Sequence, residues 1–218
     1  MPDSQLSSPD PTLEAPATPP ARKRPKPGER RVQILQALAT MLEQPGAERI
    51  TTAALAARLD VSEAALYRHF ASKAQMYEGL IEFIEDTLFG LIARLTNDTP
   101  DPIKQVEAIL SMLLGFAQKN RGMTRVLIGE ALVNEDPRLQ KRINQLHDRL
   151  EAQLRQCLRF MDTGHTGKDP KLLANLYMAQ VVGRWHQFAK SGFERDPAAD
   201  WPLLWRELSL PLENKITA

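Results

Sequence analysis

Apolar positions recur along this chain at intervals of three and four from about residue 30 onward, and that spacing predicts helices throughout. RRVQILQALATMLEQPG places Val32, Leu35, Leu38, Ala39 and Leu42 on one helical stripe, closed by Pro45 and Gly46. Thr51 or Thr52 caps a short second helix, AALAARL. Asp60 and Val61 make a brief turn, and Ser62 caps a third helix running to about Phe70. Ser72 caps a fourth, from Lys73 to about Leu95, whose stripe is Tyr77, Leu80, Ile81, Ile84, Leu88, Leu91 and Leu95.

TNDTPDP ends that helix, and the very apolar IKQVEAILSMLLGFAQ follows. Gly122 to Val133 reads as a further helix. Asp136 then caps Pro137, and a stripe runs from Leu139 through Ile143, Leu146, Leu150, Leu154, Cys157 and Met161. DTGHTGKDP is a loop, with helices expected at about 169–191 and 198–209. Period-2 alternation is missing, so the expected fold class is all-α: a three-helix helix-turn-helix unit and a larger helical bundle.

Composition changes this picture mainly at the start. Eight prolines between Pro2 and Pro27 mark residues 1–28 as a disordered tail, ending in the basic run RKRPKPGERR. That run is either a solvated linker or an arm that touches phosphates or a minor groove. Net charge is only +1, yet it is uneven. Residues 1–21 hold three acids and no base, and residues 22–79 hold ten Lys/Arg against six Asp/Glu. Positive potential therefore gathers where a polyanion could be met. The expected division is a tail at 1–28, a helix-turn-helix unit at 29–72 (its motif at about 51–70) and a helical domain at 73–218.

Enzymatic signals are weak. GHTGK at 164–168 has two residues between its glycines where a phosphate loop has four, and Asp169 replaces the metal-binding hydroxyl. His69, His147, His165 and His186 stand in separate segments without metal spacing. Cys157, the only cysteine, falls on an apolar stripe, which suits a packed thiol in a cytosolic chain. Neither a membrane span nor a secretory leader is expected, nor an enzyme, a cofactor or a metal.

The informative constellation is SEAALYRHFASK at 62–73. A third helix after a tight turn is the element that enters a major groove. Its first turn, Glu63, Ala64 and Ala65, is nearly bare, so its backbone can approach base edges and its methyls can meet thymine. Tyr67, Arg68, His69 and Lys73 can reach flanking phosphates, as can Thr51, Thr52 and Ser62 at the helix starts. Leu66 and Phe70 should face inward. The plain alternative is a capped amphipathic helix in an ordinary all-α domain.

RITTAALAARLDVSEAALYRHFASK at 49–73 resembles the DNA-binding domain of TetR-type regulators. LIEFIED at 80–86, LLGFAQKNRGMTR at 113–125 and RINQLHDRLEAQLRQ at 142–156 are similar to the nucleoid-occlusion branch of that family. The resemblance implies a homodimer on palindromic double-stranded DNA, cytoplasmic and nucleoid-associated, possessing higher-order assembly on DNA as an option. Its last two long helices would pair across a two-fold axis, through Leu173, Leu176, Tyr177, Val181 and Trp185, for which core is an equal reading.

The resemblance also implies that the DNA-bound protein antagonises polymerisation of the tubulin-like division protein FtsZ. The matching partner-binding positions are Phe83, Leu88, Gly115, Lys119 and Asn120, with Lys119 and Leu91 standing where the branch has arginine. Phe83 lies off its helix's apolar stripe, which suits a partner anchor or packing against a neighbouring helix. The alternative function is a ligand-responsive TetR-type repressor with a pocket lined by groups such as Met112, Met178 or Trp185.

Overall fold

A computed structural model describes residues 28–44, 50–160 and 169–213. The proline-rich tail up to residue 27, most of the basic arm, GHTGK and Met161 lie outside the described residues. Nine α-helices and one 3₁₀ turn make up the described chain, without a strand among the described residues. The class is all-α, as the periodicity predicts.

Helices α1 (Glu29–Leu42), α2 (Thr52–Arg58) and α3 (Glu63–Tyr67) form the first unit. The α2–α3 turn is a Schellman closure. Val61 N–H donates to the Ala56 carbonyl and Asp60 N–H to that of Ala57 (each 3.1 Å), while Asp60 takes the left-handed conformation at φ 55°. Aspartate tolerates this region better than most residues. Helix α3 ends at Tyr67 rather than near Phe70, and the chain turns there to bury Phe70 beside Leu66.

Helix α4 (Lys73–Asp98) carries the chain from this unit into the body. Ser72 accepts from Gln75 N–H, and Gln75 Oε1 accepts from Ala71 N–H at 2.8 Å, a reciprocal cap that fixes where α4 begins. The body adds α5 (Pro102–Lys119), α6 (Arg121–Leu127), α7 (Pro137–Arg159), α8 (Pro170–Lys190) and α9 (Trp201–Glu213). Three of these start on Asp-Pro: Asp101, Asp136 and Asp169 each accept from the N–H two residues on.

Gly122 to Val133 is not one helix. Gly129 adopts φ 77°, which ends α6 and leaves a 3₁₀ turn at Glu130–Leu132. Gly122 has a different role. A Cβ there would lie 1.8 Å from the Ala39 carbonyl oxygen, so its absence lets α6 press on the backbone of α1. Arg125 Nη1 adds a bond to the Gln44 carbonyl at 3.2 Å.

One connected hydrophobic cluster runs from Ile34 to Leu212. In α1 the buried face is Ile34, Leu35, Leu38, Ala39 and Leu42, while Val32 is exposed, contrary to the stripe expected. The α7 stripe is buried through Cys157 as expected. Trp185 is wholly buried, with Nε1 donating to the Leu113 carbonyl at 3.2 Å, and Tyr177 donates to the Leu208 carbonyl at 3.0 Å, holding α9 on α8.

Candidate nucleic-acid interface and partner face

The α2–α3 edge is ordered by short local bonds. Thr51 is the N-cap of α2, its Oγ1 accepting from Ala54 N–H at 3.1 Å. Ser62 is the N-cap of α3, accepting from Ala65 N–H at 3.3 Å. Leu66 and Phe70 are buried and anchor α3 from within, as expected. Glu63, Ala64, Tyr67, Arg68 and His69 are exposed, and Ala65 is half-buried. The bare first turn is thus open to an approaching surface.

Two expected phosphate contacts look different in the structure. Thr52 is not a cap: it is the first residue of α2, and its hydroxyl donates to Glu63 Oε2 at 2.5 Å. A hydroxyl has one proton to give, so this side chain has none left for a phosphate. Lys73 is paired with Glu135, from the segment before α7, and lies 5.8 Å from the Tyr77 ring centre. That carboxylate and burial together raise the Tyr77 phenol well above the usual range, burial being the larger cause.

The arginine that sequence reasoning left in the basic arm has a defined place. Arg31 Nη1 donates to the His69 carbonyl at 3.1 Å, and its guanidinium lies 4.2 Å from the Phe70 ring centre. It ties α1 to the end of α3. The sequence offers only its basic character as a signal. The Thr52–Glu63 and Lys73–Glu135 pairs were equally missed, because each joins different elements.

The proposed partner positions divide. Phe83 is 38% exposed and lines a cleft between α1, α4 and α6 with Val32, Leu35, Gln36, Leu80 and Met123. Leu88 is wholly buried, so it belongs to the core: it lies on the inward stripe with Ile81, Ile84 and Ile92 and offers no side chain to a partner. Gly115 is half-buried with open space where a Cβ would be. Lys119 is exposed at the end of α5, and Asn120 turns inward, its Nδ2 donating to the Phe116 carbonyl at 2.8 Å. Behind Phe83, Glu85 is buried and held by Arg142 at 2.6 Å and Arg149 at 3.3 Å, which fastens α4 to α7.

Helix α8 is apolar on two sides. Leu173, Tyr177, Val181 and Trp185, expected as core or interface, all lie in the core. Leu172 and Leu176 are 69% and 49% exposed, and Ala179 and Gly183 continue their line at helical spacing. Leu203 and Leu210 of α9 are exposed as well.

Residues 34–80 match the family of bacterial regulatory proteins called tetR, and residues 100–213 match a Tetracyclin repressor-like, C-terminal domain of the SlmA-like kind. The nucleoid occlusion factor SlmA of Alteromonas mediterranea is 50% identical over 179 residues, 81% of this chain and 92% of its own length. That of Photobacterium profundum is 48% identical over 188 residues, covering 84% and 95%. Among solved structures, the fatty acid degradation regulator FadR from Bacillus halodurans superposes with a TM-score of 0.71 over 84% of this chain and 96% of its own, at 16% identity. A TetR-like transcriptional regulator from Rhodococcus reaches 0.67 over 85% and 99%, at 23% identity. These two likenesses establish the fold alone. With both parts of the chain matched and about half of its aligned residues identical to those relatives, the chain belongs to the TetR family of bacterial regulatory proteins, among the nucleoid occlusion factors of the SlmA type.

Proposed function

We propose that this nucleoid occlusion factor binds palindromic chromosomal DNA as a homodimer and, once DNA-bound, antagonises FtsZ polymerisation, with no enzymatic step. The observation that carries the reading is identity near one half with nucleoid occlusion factors through the helical body as well as the DNA-binding unit. The protein then works in the cytoplasm, on the nucleoid. Two helix-turn-helix units related by a two-fold axis would read half-sites about one DNA turn apart.

The local geometry agrees. α3 presents its open first turn, and Thr51, Arg68 and His69 flank it as phosphate contacts, while the Tyr67 hydroxyl gives its proton to Thr52. The uncovered apolar line Leu172, Leu176, Ala179 and Gly183 on α8, with Leu203 and Leu210 on α9, is the surface for a second copy. Phe83 is the anchor for FtsZ, with Gly115, Lys119 and Asn120 from the α5–α6 corner. Of the groups named for the repressor alternative, Trp185 and Met178 are packed in the core.

The test adds purified protein to FtsZ and GTP, with and without a palindromic duplex that the protein has selected from a random pool. Light scattering from FtsZ polymers should fall only when the duplex is present. Polymers indifferent to the DNA-bound protein would defeat the division reading and return the protein to transcriptional repression.

A further inference from the structure

We propose that Glu63 reads a base, selecting cytosine in the major groove, and that Thr52 is its positioning residue instead of a phosphate clamp. The inference rests on the DNA-binding reading above and deepens it.

Glu63 is the first residue of α3, at the element that would enter the groove, and it is exposed. A carboxylate in that place is repelled by every phosphate it approaches. The α3 N-terminus and the Thr52 hydroxyl favour it within the protein, and in a groove the further donors open to it are base amines. Ionised Glu is acceptor-only, so its preferences follow from the base edges. Cytosine offers the N4 amine with a non-polar C–H beside it. Adenine offers N6 but places the N7 acceptor next to it, guanine presents two acceptors, and thymine an acceptor and a methyl group. On its own ring, cytosine alone has a donor with no acceptor beside it.

The carboxylate is also held in place. Thr52 on α2 donates its hydroxyl proton to Glu63 Oε2 at 2.5 Å, and the Tyr67 hydroxyl stands 3.5 Å behind, donating to Thr52 Oγ1. The second carboxylate oxygen has no hydrogen-bond partner among the described residues. A long side chain that would otherwise sample many rotamers is thus tied at one oxygen, with the other available. Thr52 stands one residue into α2, so α2 sets where the reading oxygen lies on α3. Thr51, whose hydroxyl oxygen accepts from Ala54 N–H, keeps its own proton and stays the phosphate contact of the pair.

The experiment starts from the palindromic duplex the wild-type protein selects, replaces each half-site position by all four bases, and measures Kd for wild type and variants. A random-sequence duplex reports non-specific binding. Wild type should show one position per half-site where cytosine is favoured by roughly tenfold, the lower end for a specific base contact. Glu63→Gln should move that preference to adenine, whose N6 and N7 suit an amide. Thr52→Val should weaken the cytosine preference at the same position and leave the salt dependence unchanged, and Thr52→Ser should restore it. A Glu63→Gln profile identical to wild type overturns the inference while leaving DNA binding intact. So does a Thr52→Val variant that loses affinity equally at every base with a salt slope lower by about one, the signature of a lost phosphate contact. A wild-type protein that selects no duplex overturns the DNA-binding reading and this inference with it. The three residues involved, Thr52, Glu63 and Tyr67, are on the surface or half-buried, and equal melting temperatures confirm that the variants fold.

Discussion

The α2–α3 edge and the outer face of α8 are both open surfaces, and they are built on opposite principles. On the first, polar side chains are tied to neighbours within the same small unit: Thr51 to Ala54, Ser62 to Ala65, Thr52 to Glu63. On the second, Leu172 and Leu176 stand in solvent without such ties. A surface meant for a polyanion gains by having its donors and acceptors ordered in advance, since ordering them on binding costs rotamer freedom. A surface meant for another helix needs only shape and apolar area, and it is quiet until covered. The two therefore fail differently when altered.

The largest effect is expected on the quiet surface. Leu176→Glu puts a charge in the proposed dimer face without touching the core. Sedimentation should report a monomer, and affinity for the full palindrome should fall by roughly 10²–10⁴-fold, because the second half-site no longer benefits from linkage. Affinity for a single half-site should stay where it was. A Leu176→Glu protein that remains a dimer would remove the contrast, since α8 would then have some other use for its outer stripe.

A smaller effect separates two residues that the sequence placed together. Leu88→Ala should cost about 2–5 kcal/mol of stability in urea unfolding, as expected of a core leucine. Phe83→Ala should cost about 1 kcal/mol, since much of the ring is already in water. It should abolish FtsZ antagonism while DNA affinity is kept. Equal stability losses for the two would return Phe83 to the core and leave the partner face without its anchor.

The same contrast explains what could be read from the chain. Caps are local chemistry, so Ser62 and Ser72 were legible, the α2 cap was narrowed to Thr51 or Thr52, and the Asp-Pro starts at Asp101 and Asp169 carried the same signal as the one read at Asp136. Faces are not local. Successive residues of a helix stand about 100° apart, so neighbours such as Leu172 and Leu173 part company, one to solvent and one to the core. Val32 and Ile34 compete for one face of α1, and the choice was settled by packing against a helix more than eighty residues later, where Gly122 lets α6 approach Ala39. The Gly129 break needed a left-handed residue that periodicity does not announce. Lys73 and Glu135 are 62 residues apart, and no pattern links them.

That last pair is where the two kinds of surface meet, and it sets the smallest predicted effect. Lys73 opens α4 at the edge of the DNA-facing unit, yet its ammonium is held by Glu135 of the body. A phosphate that recruits Lys73 must compete with that carboxylate. Glu135→Gln keeps the shape and removes the competitor, so DNA affinity should rise by a few-fold, with the slope of log Kd against log salt steeper by about one phosphate contact. The gain has to vanish in a Lys73→Met background, because a general loss of negative charge would help DNA binding with or without the lysine. If Glu135→Gln weakens binding instead, the carboxylate orients Lys73 toward the phosphate rather than withholding it. The edge would then be prepared from the body as well as from its own neighbours, and the contrast with α8 would extend over 62 residues of chain.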